Sequence, residues 1–237
     1  MSAIPSNRPA RPETPAQVLC RQLHQGDIYA GFPHHQFAVD VQGWHSDAPI
    51  FRTLMASVRP RIVVELGTWK GASALHMCAL ASEIGLEPFT IICVDTFLGG
   101  TWHWLNRQDP TGFAGLGCRH GYPSLYYQFL ANVVHLGHQD KVVPFPNTTA
   151  NVSRFFKAMG GPQPDLVYID ASHYFEDVIS DLRNWWPLVR PGGVVFGDDF
   201  SASFPGVEQA VRAFCAEMRL SPFELEGEKW ILRKPEP

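Results

Sequence analysis

Short β-branched runs alternate with helical stripes along most of this chain. Ile62-Val63-Val64-Glu65-Leu66 reads as a buried strand, and Gly67-Thr68-Trp69-Lys70-Gly71 as a loop opening a helix over 72–84. A second strand over 89–94 ends on Asp95. Helix over 124–136, strand over 141–145 and helix over 151–159 follow, the last capped near Asn147-Thr148-Thr149. Between Thr96 and Pro123 lies an irregular insert rich in Gly, Trp and Phe, longer than a structureless connection usually is in a compact domain.

The stretch from Asp165 to Phe200 organises the rest. Leu166-Val167-Tyr168-Ile169 is a strand ending on Asp170. Phe175, Val178, Leu182, Trp185 and Trp186 then recur at helical spacing, with Glu176, Asp177, Asp181 and Arg183 on the other face. Pro187 stops that helix, Arg190-Pro191-Gly192-Gly193 turns, and Val194-Val195-Phe196 is the next strand. A right-handed crossover makes the two strands parallel, with their carboxyl ends at the edge where open α/β sheets bind ligands. A helix around Val207, Ala210, Val211 and Phe214 and a hairpin about Gly227 close the chain. The fold class expected is α/β, a doubly wound Rossmann-like sandwich on a mainly parallel seven-stranded sheet ending in an antiparallel hairpin.

Before the first strand, residues 1–16 read as a flexible proline-rich arm, a short helix is expected over 17–24, and a second runs from a cap at Ser46 or Asp47 to about Val58. Residues 17–60 together make a helical cover over the domain of 61–237, a place for a substrate lid or a subunit contact. At 237 residues with a formal charge of -4, and with Lys and Arg scattered, the chain lacks the basic footprint of a nucleic-acid or membrane-surface protein. Its five cysteines show no CxxC or zinc spacing and read as reduced core residues. With no membrane-length apolar run and no signal-peptide core at the N-terminus, the expectation is a soluble cytoplasmic protein with no nucleic-acid or membrane partner.

Chemistry gathers at strand ends. Glu65-x-Gly67-x-x-x-Gly71 lets a ligand approach the backbone and offers the free N–H groups of a helix start, without the G-x-G-x-x-G or GK[ST] of a phosphate cradle. Asp95, followed by Thr96, ends a strand where an acid suits a pair of ribose hydroxyls; tight-turn glycines and a capping acid are the plainer account. Asp170, Asp198 and Asp199 converge on one edge, and three carboxylates there call for a cation such as Mg²⁺. Adjacent aspartates on a regular strand point to opposite faces, so both reach one ion only if the chain turns at Gly197 or just after Asp199. His173 is a candidate general base at the mouth of this edge, or else a residue that only touches the carboxylates. Trp102, His103 and Trp104 line a pocket or pack as a lid. No G-x-S-x-G elbow is present, so serine hydrolysis is disfavoured.

These pieces resemble the class I S-adenosylmethionine-dependent methyltransferases, and more closely the metal-dependent sugar O-methyltransferases of macrolide and aminocoumarin biosynthesis. The matching segments are QGWHSDAPIF, VVELGTWKGASA, VDTFLGG, KVVPFPNTT and DLVYIDASHYFEDVISDLRNWWPLVRPGGVVFGDDF, the last being much the most specific. The resemblance implies that Glu65, Gly67 and Ser73 lie along the methionine part of the cofactor, with Thr68 and Gly71 among the cofactor-binding residues. It implies that Asp95 holds the ribose, that Thr96 also binds the cofactor, that residues near Asn147 and Thr148 border the adenine, and that Asp170 touches both cofactor and metal. Asp170, Asp198 and Asp199 match the family's magnesium ligands, and His173 a histidine proposed as base. The insert over 99–123 departs from the family, so sugar substrates do not transfer with the resemblance.

The function expected is methyl transfer to a hydroxyl of a small molecule, a natural product or sugar, with Asp170 and His173 catalytic. Transfer to a carboxylate or phenol without metal is the alternative within enzymes. A non-catalytic S-adenosylmethionine-binding partner protein is the alternative outside them. The arm and the insert are the expected surfaces for any self-association into a homo-oligomer.

Overall fold

The computed structural model describes residues 12–220 and 223–236. Most of the expected arm lies outside them. Its last residues belong to a helix, α1 (Pro15–His24), which starts earlier than the apolar periodicity indicates. Thr14 caps it by accepting from the Gln17 N–H while the Gln17 side chain accepts from Thr14 N–H, and Pro15 takes the first helical position, where its missing N–H costs nothing. The second helix, α2 (Pro49–Val58), begins three residues past Ser46 with no side-chain cap, again on a proline.

The alternation then proceeds as β1 (Ile62–Leu66), α3 (Ala72–Glu83), β2 (Thr90–Asp95), α4 (Thr101–Leu105), α5 (Leu125–His135), β3 (Val142–Pro146), α6 (Thr149–Met159), β4 (Leu166–Ile169), α7 (Phe175–Trp185), β5 (Val194–Gly197), α8 (Pro205–Met218), β6 (Glu224–Glu226) and β7 (Lys229–Arg233). The seven strands form one sheet in the order β3-β2-β1-β4-β5-β7-β6. The first five are parallel; β7 runs antiparallel to both β5 and β6. The chain leaves β1 toward β2 on one side and returns to β4 on the other, so the switch point of this doubly wound sheet lies between β1 and β4.

Each inner strand is apolar on both faces. Val64, Leu66, Val167 and Ile169 join Val178, Leu182 and Trp185 of α7 and Val211 and Phe214 of α8 in one core layer. Val63, Tyr168 and Phe196 join Phe51 of α2, Met77 of α3 and Phe129 of α5 in the other. Each such aliphatic side chain, fully buried, contributes about 1.5–3 kcal/mol. Trp185 and Trp186 are core residues, and the five cysteines are free, four of them buried.

The N-terminal elements are layered onto this body. Thr14 Oγ1 donates to the Asp140 carbonyl and Tyr29 Oη to that of Val142, which holds α1 beside β3, while α2 lies on α3. The insert is ordered by its own polar contacts: Phe113 N–H donates to Asn106 O, Trp104 Nε1 to Leu98 O, and Leu116 is fully buried. Among the described residues, no helix is long and apolar enough to cross a membrane.

Candidate active site

The carboxyl ends of β1, β2, β4 and β5 and the loops after them form the candidate site. Gly67 adopts φ +83° and donates its N–H to Val94 O, and a Cβ there would collide with the Asp170 carbonyl. Only glycine lets the β1 loop lie this close to the end of β4. Gly71, at φ +88°, is the N-cap of α3 and abuts the Phe129 ring.

Glu65 is completely buried at the end of β1 and accepts from the Ser73 hydroxyl. Burial pushes its pKa up to about 8, against the pull of that hydrogen bond. Among the described residues, its Oε2 has no partner, nor do Thr68 Oγ1 on the same loop and His103 Nε2. The His103 ring stacks on Trp69 of that loop at 4.3 Å, with Trp44 packed against both. Thr68 also acts on the Glu65 carboxyl, and buried polar atoms this poorly partnered around one glycine loop fit a polar ligand.

Asp95 behaves differently from a free ribose acceptor. Its Oδ2 accepts from the backbone N–H groups of Thr68 and Trp69, and its Oδ1 from that of Phe97. The carboxylate therefore ties β2 to the glycine loop, and an acceptor position on Oδ1 is left for a hydroxyl. Thr96 Oγ1 accepts from Leu98 N–H. Asn147 donates its N–H to Asp95 O, and Thr148 caps α6 by accepting from Asn151 N–H. Thus Glu65, Gly67, Thr68, Gly71, Ser73 and Asp95 form one connected group, with Asn147 joined through the backbone; Thr148 is occupied as a cap.

The acidic edge differs from the three-aspartate set the sequence suggests. Donor atoms of Asp170, His173 and Asp199 lie within 4.8 Å of one another. Asp199 joins them because the chain turns there: its φ is +64°, a left-handed conformation that swings its side chain out of strand alternation. Its Oδ2 stands 2.9 Å from His173 Nε2. Asp198 is only 5% exposed and looks inward. Its Oδ1 accepts from Asp199 N–H and its Oδ2 is ion-paired to Lys229 Nζ. Lys229 Nζ also donates to Tyr168 Oη, and Tyr168 Oη donates to Asp170 Oδ2, each over 3.0 Å. His45 Nδ1 approaches Asp198 Oδ2 at 4.0 Å.

Desolvation, with the charges of Asp198 and Asp199 added to it, raises the Asp170 pKa well above the carboxylate range. Burial alone would lower that of His173; the hydrogen bond and charge of Asp199, with Asp170 and Asp198 behind it, raise it instead. Both shifts come from carboxylates crowded together out of water, and a cation placed among them would lower the Asp170 pKa again. The space between Asp170, His173, Asp198, Asp199 and Trp230 is about 10 Å³, the size of one water or ion. Two carboxylates and an imidazole fit a divalent cation, and the nitrogen donor moves preference from Mg²⁺ toward Mn²⁺ and other transition ions.

A groove of about 530 Å³ lies apart from this edge, between residues 41–47 and the flank of α3, and shares His45 with it. Lys229, Tyr168 and His45 are the site residues that sequence reasoning missed. Lys229 is one lysine in a short hairpin with no local signal. His45 falls within QGWHSDAPIF, a segment whose resemblance to the family was the one hint.

Comparison with known proteins agrees with this fold. The chain is 28% identical over 182 residues to the uncharacterized protein y4gI of Sinorhizobium fredii, a match that covers 75% of this chain and 17% of that protein's length. Its fold is similar to that of the O-methyltransferase NovP, at TM-score 0.56 and 16% identity over 81% of this chain and 80% of that one. It is likewise similar to TomG from Streptomyces achromogenes, an O-methyltransferase involved in tomaymycin synthesis solved with S-adenosylmethionine, at TM-score 0.55 and 15% identity over 94% and 91%. A family model described as a methyltransferase domain matches residues 64–200, the stretch that holds most of β1, all of β2 to β5, the glycine loop and the Asp170, His173 and Asp199 group. By that match, and by a sheet whose switch point carries the glycine loop and the acidic edge, this chain belongs to the methyltransferase domain family.

Proposed function

We propose that this protein is an S-adenosylmethionine-dependent O-methyltransferase acting on a hydroxyl of a small molecule, with a divalent cation at the acidic edge. The observation that carries the reading is the meeting, at one switch point, of a partnerless buried carboxylate oxygen on Glu65 with the Asp170, His173 and Asp199 donor cluster. The fold likeness to NovP and TomG supports it, and TomG's part in tomaymycin synthesis supports a natural-product acceptor.

When bound, the cofactor supplies an electrophilic methyl on a sulfonium and the cation supplies Lewis acidity that lowers the pKa of an acceptor hydroxyl. The chain's own residues do the rest. Glu65 and Thr68 offer polar atoms to the amino-acid end of the cofactor, and Asp95 Oδ1 keeps an acceptor position for a ribose hydroxyl. Trp69, His103 and Trp44 shield the loop from water. Position and a deprotonated oxygen are most of what such a transfer requires. Asp170, His173 and Asp199 would hold the cation. In that role His173 cannot also take the acceptor's proton, since a nitrogen lone pair serves a metal or a proton but not both. In a cation-free reaction, Asp199 would orient His173 as the general base instead.

Incubation with radiolabelled S-adenosylmethionine and a fractionated small-molecule extract of the host, with Mg²⁺ or Mn²⁺ or with excess chelator, tests this. Label in a metabolite only with metal is the expected result. Equal labelling under chelation gives His173 the role of base and favours a carboxylate or phenol acceptor. Absence of S-adenosylhomocysteine binding in calorimetry would overturn the reading.

A further inference from the structure

We propose that Lys229 is a built-in countercation of Asp198, so that a divalent ion at this edge is held by Asp170, His173 and Asp199 and not by the aspartate pair. The inference deepens the reading above and rests on its claim that the edge takes a cation.

Both oxygens of Asp198 have partners within the protein, and one partner is a full positive charge: Oδ2 pairs with Lys229 Nζ and Oδ1 accepts from the N–H of Asp199. Its carbonyl accepts from Trp230 Nε1. Lys229 is only 3% exposed, and its ammonium lies 5.3 Å from the Phe51 ring centre and 5.2 Å from that of Tyr168. An ammonium so enclosed has no solvent to retreat to, and a buried charge is kept only when paired. The pairing follows from sheet register. β5 and β7 match Phe196 with Ile231 and Gly197 with Trp230, which sets the next residue, Asp198, opposite Lys229. Gly197 has no side chain to obstruct the Trp230 ring that covers the pair.

The charge arithmetic points the same way. With an ion bound, Asp170 ionised and His173 neutral, one ammonium against three carboxylates leaves the charge of two carboxylates, which a divalent cation cancels. The ammonium also positions a ligand, since it donates to Tyr168 Oη, whose own proton fixes Asp170 Oδ2 and leaves Oδ1 for a ligand role. Lys229 is therefore a positioning residue that acts through Asp198 and Tyr168.

Mn²⁺ binding followed by electron paramagnetic resonance, on proteins whose folding is verified by circular dichroism, tests the assignment without any turnover. Lys229→Met keeps the side-chain length and removes the charge; Mn²⁺ should bind at least about tenfold tighter than to the native protein, because a nearby positive charge is gone and Asp198 becomes a free donor. Should that variant not fold, the double variant Lys229→Met/Asp198→Asn decides, since it removes the pair without changing net charge. It should bind Mn²⁺ within about threefold of the native protein, while Asp199→Asn loses at least about tenfold. Unchanged affinity in a folded Lys229→Met, a tenfold loss in the double variant, or no Mn²⁺ binding to any folded protein overturns the proposal. Calorimetry with S-adenosylhomocysteine on the same samples separates the two readings. Its failure with the Mn²⁺ pattern intact counts against the methyltransferase reading, and the reverse counts against Lys229 alone.

Discussion

Nε2 of His173 is 2.9 Å from Oδ2 of Asp199, although Asp199 follows a residue that faces the opposite way. The left-handed turn at Asp199 brings the two together, and Asp170 completes the group. Whether His173 closes a donor set or takes a proton, its loss removes the step that readies the acceptor oxygen. His173→Ala should lower kcat by about 10²–10⁴-fold and leave S-adenosylhomocysteine affinity within about threefold. A variant rate close to native would remove His173 from both roles.

Gly67 admits no side chain. Its φ of +83° disfavours any Cβ, and the Asp170 carbonyl occupies the space one would need. Gly67→Ala should cost at least about 2 kcal/mol in urea unfolding and weaken S-adenosylhomocysteine binding with it. Gly85, also at positive φ but with open space around it, serves as the control, since Gly85→Ala meets only the backbone penalty.

The pH dependence of stability reports on Glu65. Its folded pKa, about 8, lies above the ordinary 4.5, so the folded state holds the proton more tightly than the unfolded chain does. That contribution is fully present below pH 4.5 and is lost as pH rises through about 8. Across this window the ligand-free protein should lose on the order of 4 kcal/mol relative to Glu65→Gln. Thermal melts of both proteins from pH 5 to about 9 check this; parallel profiles would mean that Glu65 is ionised without cost.

The buried pair of Lys229 and Asp198 makes a separate thermodynamic prediction. Lys229→Met alone leaves a buried carboxylate without its cation and should cost about 3–5 kcal/mol. Adding Asp198→Asn should recover most of that, since replacing both members of a buried pair is often nearly neutral. Denaturant titration of the single and double variants measures the coupling; additive losses would show that the two side chains do not interact.

Trp69 joins the insert to the glycine loop through its stack on His103 and to the N-terminal segment through the bond from its Nε1 to Gln42 Oε1, at 2.8 Å. Trp69→Ala should weaken cofactor binding about fivefold, the worth of roughly 1 kcal/mol of aromatic contact, and expose residues 99–123 to limited proteolysis. Unaltered cleavage of that segment would mean that the insert is held elsewhere.

The sequence by itself determined the order of elements, because strand and helix periodicity and the glycine and proline stops are local properties. It also placed Glu65, Asp95 and Asp170 at the ends of their strands, since each directly follows or ends a β-branched run. Helix starts were less legible. Thr14 and Pro15 act through one hydrogen-bonded cap and one missing N–H, signals weaker than an apolar stripe. Only the tertiary structure decided how the three aspartates divide. Asp198 meets a lysine 31 residues away through the antiparallel register of β5 and β7, and Asp199 turns toward His173 through one left-handed residue. Register between distant strands and a single backbone dihedral are set by the packing of the whole sheet, here by Trp230 lying over Gly197, and no local pattern in the chain encodes them.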